Sequence, residues 1–125
     1  MSVGIIILAH GSREPETEKT MEEIVNKVRD KTSNGSIRMA YFQFVKPSLE
    51  DSVREFIEEG VKEINIIPYF LFSGVHIRED VPLALGEIKR EYPGVTINVA
   101  DTLGADDRLA EIVADRITAL SAADG

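Results

Sequence analysis

The sequence predicts an α/β fold: a four-stranded parallel sheet covered by helices on both faces. Three observations lead there. Short β-branched and aromatic runs alternate with segments of helical periodicity. The first such run, VGIIILA, is apolar almost throughout, as expected of a strand covered on both sides. A chain of 125 residues suits one domain that buries roughly two-thirds of its unfolded surface.

Strands are expected at residues 3–9 (VGIIILA), 37–43 (IRMAYFQ), 63–70 (EINIIPYF) and 95–100 (VTINVA), whose side chains suit a pleated surface. Between the first two, Met21, Ile24, Val25 and Val28 recur at helical spacing. Leu49, Val53, Phe56 and Ile57 do so after the second strand. That helix opens at Pro47-Ser48-Leu49-Glu50-Asp51, an N-cap with an acidic residue three positions on, and closes at Gly60. A third helix is expected over 81–92, stopped by Pro93-Gly94. Pro82 suits a first turn, and a start near His76 is the alternative. The last helix follows Asp106-Asp107 and carries Leu109, Ile112, Val113, Ile117 and Leu120 as one apolar stripe, with 121–125 expected to fray. Right-handed crossovers then give strand order 2-1-3-4, as in flavodoxin-like folds. Residues 1–125 read as a single domain without repeat or linker. So small a sheet suits pairing with a second copy.

Composition narrows the function. A net charge of −8 argues against general nucleic-acid binding, which relies on Lys and Arg to displace phosphate counterions. The same field favours metal cations, and an acidic ligand must be received by local positive charge; solubility alone would also account for it. No apolar run approaches the ~20 residues that cross a bilayer, so no membrane partner is expected. The start of the chain lacks a basic lead-in and a long apolar segment, so a cytoplasmic protein is expected. With no cysteine, disulfides and thiolate metal sites are excluded.

In a doubly wound sheet, ligands bind beyond the carboxyl ends of the strands where the strand order reverses. For order 2-1-3-4 that point lies between the first and third strands. His10 follows the first strand and His76 the third, and the chain has only these 2 histidines. Imidazole suits Co, Ni, Zn and Fe, and as a class it titrates near neutral pH, so it also serves as a base. Two histidines fall short of the four ligands of a closed zinc site and imply an open, weak one. Glu79 and Asp80 would either assist the metal or cap a helix. Gly11 and Gly74 allow close backbone approach and Ser12 and Ser73 add small donors, unless they are ordinary turn residues. Arg13, Lys46 and Arg78 each follow a strand, so cations gather on one rim, where helix N-termini would add N–H donors. Phe70, Phe72 and Tyr41 offer flat apolar surface to a ring, or belong to the core.

The segments LAHGSR, KPSLEDS and PYFLFSGVHIREDVP resemble the small class II chelatases, over roughly residues 3–117. The paired motifs AHGSR and GxHxxxDxP carry most of the specificity. The resemblance implies a chelatase-like three-layer sandwich, a homodimer, and insertion of Co²⁺ or Ni²⁺ into sirohydrochlorin. The cobalt product leads to cobalamin and the nickel product to the nickel tetrapyrrole of methane-forming archaea. The metal is then a substrate, and no tightly bound cofactor is expected. The resemblance also implies that His10 and His76 hold the metal, with His10 the proton acceptor. Leu71, Phe72, Ser73, Gly74, Val75 and His76 would form the loop against the tetrapyrrole, and Lys46 would meet one of its carboxylates. Ser12 and Arg13 would form the rim that receives the acidic macrocycle. Some chelatases carry an acidic residue near the end of the second strand, where this chain has Gln43. Iron insertion and a non-catalytic carrier remain as alternatives. A histidine phosphatase does not fit, because Ala9 stands where the phosphate-binding arginine would precede His10.

Overall fold

Eight elements alternate along the chain: β1 (Val3–Ala9), α1 (Pro15–Lys31), β2 (Ser36–Tyr41), α2 (Leu49–Glu58), β3 (Glu63–Pro68), α3 (Val75–Glu91), β4 (Thr96–Val99) and α4 (Asp107–Asp124). The structure, a computed structural model, describes residues 3–33 and 35–124, the side chains of residues 76, 123 and 124 excepted. All strands are parallel and lie in the order β2-β1-β3-β4, as expected. Strand β1 is central: Ile6 pairs with Arg38 on one side and Ile66 on the other. That position explains its apolar run, since Ile6, Ile7, Leu8 and Ala9 are all buried.

Side chains alternate across the strands and so build two cores. On one face Ile6, Leu8, Ala40, Ile64 and Ile66 pack with Leu49, Val53 and Phe56 of α2 and with Val81, Leu85 and Ile88 of α3. Phe56 lies so close to β1 that a Cβ at Gly4 would stand 2.9 Å from its ring. The Arg38 guanidinium sits 4.2 Å from the same ring centroid and pairs with Glu55 and Glu59. Ser52, fully buried, donates its hydroxyl to the Met39 carbonyl at 2.8 Å. On the other face Ile7, Ala9, Ile37 and Tyr41 pack with Met21 and Val25 of α1. Burial, with Glu18 and Glu22 nearby, pushes the Tyr41 phenol up.

Helix α2 starts where the sequence requires. Asp51 N donates to Ser48 Oγ (3.1 Å) and Ser48 N donates to Asp51 Oδ2 (3.2 Å), a complete capping box. The Ser48 backbone and hydroxyl hold the Asp51 carboxyl below its usual range.

Several boundaries differ from expectation. Regular β2 ends at Tyr41, not at 43, and Tyr41 N bonds the Pro47 carbonyl (2.8 Å). Regular β3 ends at Pro68, not at 70, although Tyr69 N still donates to Leu8 O (2.7 Å). Strand β4 loses one residue at each end of the expected span. Helix α3 takes the earlier alternative and starts at Val75, which leaves Pro82 inside it. The Arg78 carbonyl thereby loses its intrahelical donor, but both residues are exposed to water. The expected frayed tail is helical through Asp124: Ser121-Ala122-Ala123 contains no helix breaker, and alanine favours the helix.

Helix α4 joins neither core. Its stripe residues Ile112, Val113, Ile117 and Leu120 are 47%, 59%, 61% and 70% exposed. No helix among the described residues is long and apolar enough to cross a membrane.

Candidate functional site

His10 is the first residue after β1, and its backbone is held from the side. Phe42 N donates to Ala9 O (2.9 Å) and Gln43 N to His10 O (3.0 Å), so β1 and β2 stay bonded beyond their regular ends. The imidazole meets the buried Phe70 ring edge to face, with centroids 4.6 Å apart and planes at 88°, a favoured aromatic geometry. Beside it opens a cleft of about 400 Å³ lined by His10, Tyr69, Phe70, Leu71, Phe72, Gly74 and Ile77. Apolar walls with few polar groups are the usual form of a small-molecule site.

The β3–α3 connection forms one wall. Leu103 N donates to Phe70 O (2.8 Å) and Gly104 N to Leu71 O (3.0 Å), so the β4–α4 connection braces it. Sequence reasoning did not single out Leu103 or Gly104; these bonds use main chain only, which no side-chain motif reveals. Leu71 and Phe72 project into solvent, at 49% and 80% exposure, and Ser73, Gly74 and Val75 are exposed as well. The expected loop over 71–76 is shorter than that. Gly74 takes the N-cap position, and Val75 and His76 already belong to α3, where Arg78 N donates to Gly74 O (3.1 Å). The side chain of His76 lies outside the described residues. Glu79 and Asp80 fall in the second turn of α3, too far along to cap it.

On the other side of His10, two loops press together. Gly11 has φ 87°, and a Cβ there would stand 1.9 Å from Gln43 O, so only glycine fits. Ser12 Oγ accepts from Glu14 N (3.0 Å), an ordinary turn contact. The Arg13 guanidinium lies 4.7 Å from the centroid of Phe44. Phe44 has φ 72° and sits between Gln43 O and Val45 N, which bond at 2.9 Å. This is a γ-turn of the positive-φ kind, strained by roughly 1–3 kcal/mol for a residue with a Cβ. Phe44 also escaped sequence reasoning, which has no signal for a left-handed phenylalanine.

Lys46 does not reach the cleft. It lines a separate groove of about 590 Å³ with Pro47, Asp51, Arg54, Glu55 and Glu58. That groove is larger, but its charges are largely engaged: Asp51 bonds Ser48, Arg54 pairs with Glu91 at 3.0 Å, and Glu55 with Arg38. The smaller cleft is the one that His10 lines. Helices α1 and α3, which begin at this edge, have no side-chain cap, whereas α2 does. In α1 Pro15 has no N–H and Thr17 N already donates to Glu14 O (3.1 Å), whereas the first N–H groups of α3 are left to water or an anion. Among the described residues, no group of three or more His, Cys, Asp or Glu is placed to hold a metal ion.

Residues 4–120 match the CbiX family model. The chain belongs to the CbiX family. It is 30% identical over 135 residues to the sirohydrochlorin cobaltochelatase of Methanopyrus kandleri, covering 92% of this chain and 94% of that protein. It is 32% identical over 114 residues to the chloroplastic sirohydrochlorin ferrochelatase of Arabidopsis thaliana, covering 91% of this chain and 51% of the plant protein. The chain therefore spans about half the length of that relative. The solved structure of a CbiX protein of cobalamin (vitamin B12) biosynthesis from Marinobacter aquaeolei VT8 superposes over the whole of both chains, with a TM-score of 0.83 and 30% identity. The four-stranded parallel sheet in order 2-1-3-4 is thus the CbiX fold. His10 stands at its switch point, with β2 on one side of β1 and β3 on the other.

Proposed function

We propose that this CbiX chain is a sirohydrochlorin chelatase that inserts Co²⁺ into the tetrapyrrole and releases two protons. The single observation that carries this reading is His10: an imidazole at the end of the central strand, set against Phe70 and opening on an apolar cleft. Metallation replaces two pyrrole N–H protons with a divalent cation, so the site needs a base and a temporary holder for the metal. Neutral imidazole does both, but not with one lone pair at once. In this reading metal release and proton removal are sequential, or divided between His10 and His76. A sparse imidazole site suits an ion that must leave again.

The tetrapyrrole lies over the strand ends, its face against Leu71, Phe72, Ser73, Gly74 and Val75. Its carboxylates are received by Arg13, the Ser12 turn and the uncapped N-terminus of α3. The net charge of −8 favours delivery of the cation. Nickel is the alternative substrate metal in this reading. Iron is a second one, favoured by the resemblance to the plant protein, which is named for iron.

The working form in this reading is a cytoplasmic homodimer. Burying what remains exposed of Ile112, Val113, Ile117 and Leu120 of α4 would contribute on the order of 1 kcal/mol each, and the four lie in one stripe. On the sheet face covered by α1, the β3–β4 half is less covered among the described residues: Asn65, Ile67 and Tyr69 are half-buried, and Thr96 and Asn98 are exposed. A second copy supplies the cover.

The test is anaerobic incubation of the purified chain with sirohydrochlorin and Co²⁺, Ni²⁺ or Fe²⁺, followed by absorbance against metal alone. Insertion faster than the control, over more than one turnover per chain, is expected with Co²⁺. Equal rates would overturn the chelatase reading, and a single stoichiometric binding event would make the chain a carrier.

A further inference from the structure

Phe44 is an aromatic residue in a backbone conformation that glycine would adopt without strain. It is 56% exposed and adds nothing to either core. The γ-turn around it, closed by Val45 N on Gln43 O at 2.9 Å, is therefore not explained by packing. What the ring does touch is Arg13, whose guanidinium lies 4.7 Å from its centroid. Among the described residues Arg13 has no hydrogen bond or ion pair, so the ring is its only directional partner and all its donors remain available. An arginine stacked on a ring keeps its edge free to bind a carboxylate in bidentate fashion.

Topology places this pair on one side of His10 and the aromatic cleft on the other, because β1 lies between β2 and β3. The loops are locked together where Gln43 N donates to His10 O (3.0 Å) and where Gly11 admits no Cβ beside Gln43 O. The ends of β2 and β3 lie about 10 Å apart across β1, so a flat ligand over His10 spans from the cleft to the pair.

We infer that Phe44 is a specificity-determining positioning residue. It holds the Arg13 guanidinium at a fixed distance from His10 so that the pair engages one peripheral carboxylate of the tetrapyrrole. This deepens the proposed function and rests on it. Phe44 acts through Arg13 and takes no part in metal or proton transfer. Its contribution falls on recognition of the carboxylated macrocycle, not on the metal.

The experiment is steady-state metallation of sirohydrochlorin by Co²⁺ with Phe44→Gly, Phe44→Trp, Arg13→Gln and the double variant Phe44→Gly/Arg13→Gln, together with their thermal unfolding. Phe44→Gly relieves the strained turn, so its unfolding midpoint should not fall. The KM for sirohydrochlorin should rise about tenfold, the scale of a lost stacked charge-assisted contact, with a much smaller change in kcat and none in the KM for Co²⁺. Phe44→Trp, which keeps a ring, should restore KM to within about threefold. The double variant should be no worse than Arg13→Gln alone. If wild type metallates sirohydrochlorin but Phe44→Gly leaves its KM unchanged, or if the two effects multiply, the inference is wrong and the proposed function stands. If wild type neither binds nor metallates sirohydrochlorin, both fall.

Discussion

In α2, Leu49, Val53 and Phe56 are buried against the sheet, whereas in α4 Ile112, Val113, Ile117 and Leu120 are between 47% and 70% exposed. Both helices carry an apolar stripe at helical spacing, and both start after an acidic or hydroxyl cap. Ser48 caps α2; Asp106 precedes α4 and accepts from Arg108 N (2.9 Å) and from its guanidinium (2.8 and 2.7 Å), which holds the Asp106 carboxyl far below the usual range. Periodicity therefore reports that a helix has a face to cover, not what covers it. Helix α2 returns at once over β1 and β2, where Gly4 leaves room for Phe56. Helix α4 follows the shortest strand, at the sheet edge, and its stripe joins neither core.

The largest effect should fall on α2. Phe56→Ala removes a fully buried ring and the platform under Arg38, and should cost about 3–5 kcal/mol by urea unfolding. A loss below about 1 kcal/mol would mean that the face is less well packed than described.

The contrasting change in α4, Ile117→Glu with Leu120→Glu, should leave the helical circular-dichroism spectrum of a dilute sample intact. With the proposed homodimer it should also halve the mass seen by sedimentation, because the exposed apolar stripe would be the face that a second copy covers. Unchanged mass would remove α4 from any interface between copies.

A smaller effect is expected at the α2 cap. Ser48→Ala should cost about 1 kcal/mol at neutral pH. Since Asp51 has its folded value lowered from 3.8, its contribution is present above that value and is lost as pH falls through the lower folded one. The gap between wild type and Ser48→Ala should therefore narrow in acid, and a gap that widens there would contradict the capping box. Smallest of all is the exposed Arg54–Glu91 pair: Glu91→Gln should not move the unfolding midpoint measurably.

Much of the fold was legible because its signals are local. The buried run of β1, the Ser48–Asp51 box and the alternation of periods fixed the elements and, with right-handed crossovers, the strand order. The same logic put His10 at the switch point, and the structure sets it there against Phe70. What escaped depends on long-range main-chain contacts. Leu103 and Gly104 brace the cleft wall through their amides, bonding Phe70 O and Leu71 O. The strained turn at Phe44 is visible only as a dihedral angle. Lys46 was expected on the common rim because it follows a strand, but the turn after Tyr41 carries it to the α2 groove. The start of α3 was ambiguous because Pro82 fits a first turn as well as it fits an exposed interior position.

The most direct test of His10 as the working group is the initial rate of Co²⁺ insertion into sirohydrochlorin by His10→Ala against wild type, with tetrapyrrole binding measured on the same samples. A fall of about 100-fold or more is expected, the scale of a lost base in the transition state, with binding kept within a few fold. Equal rates for the two proteins would contradict it.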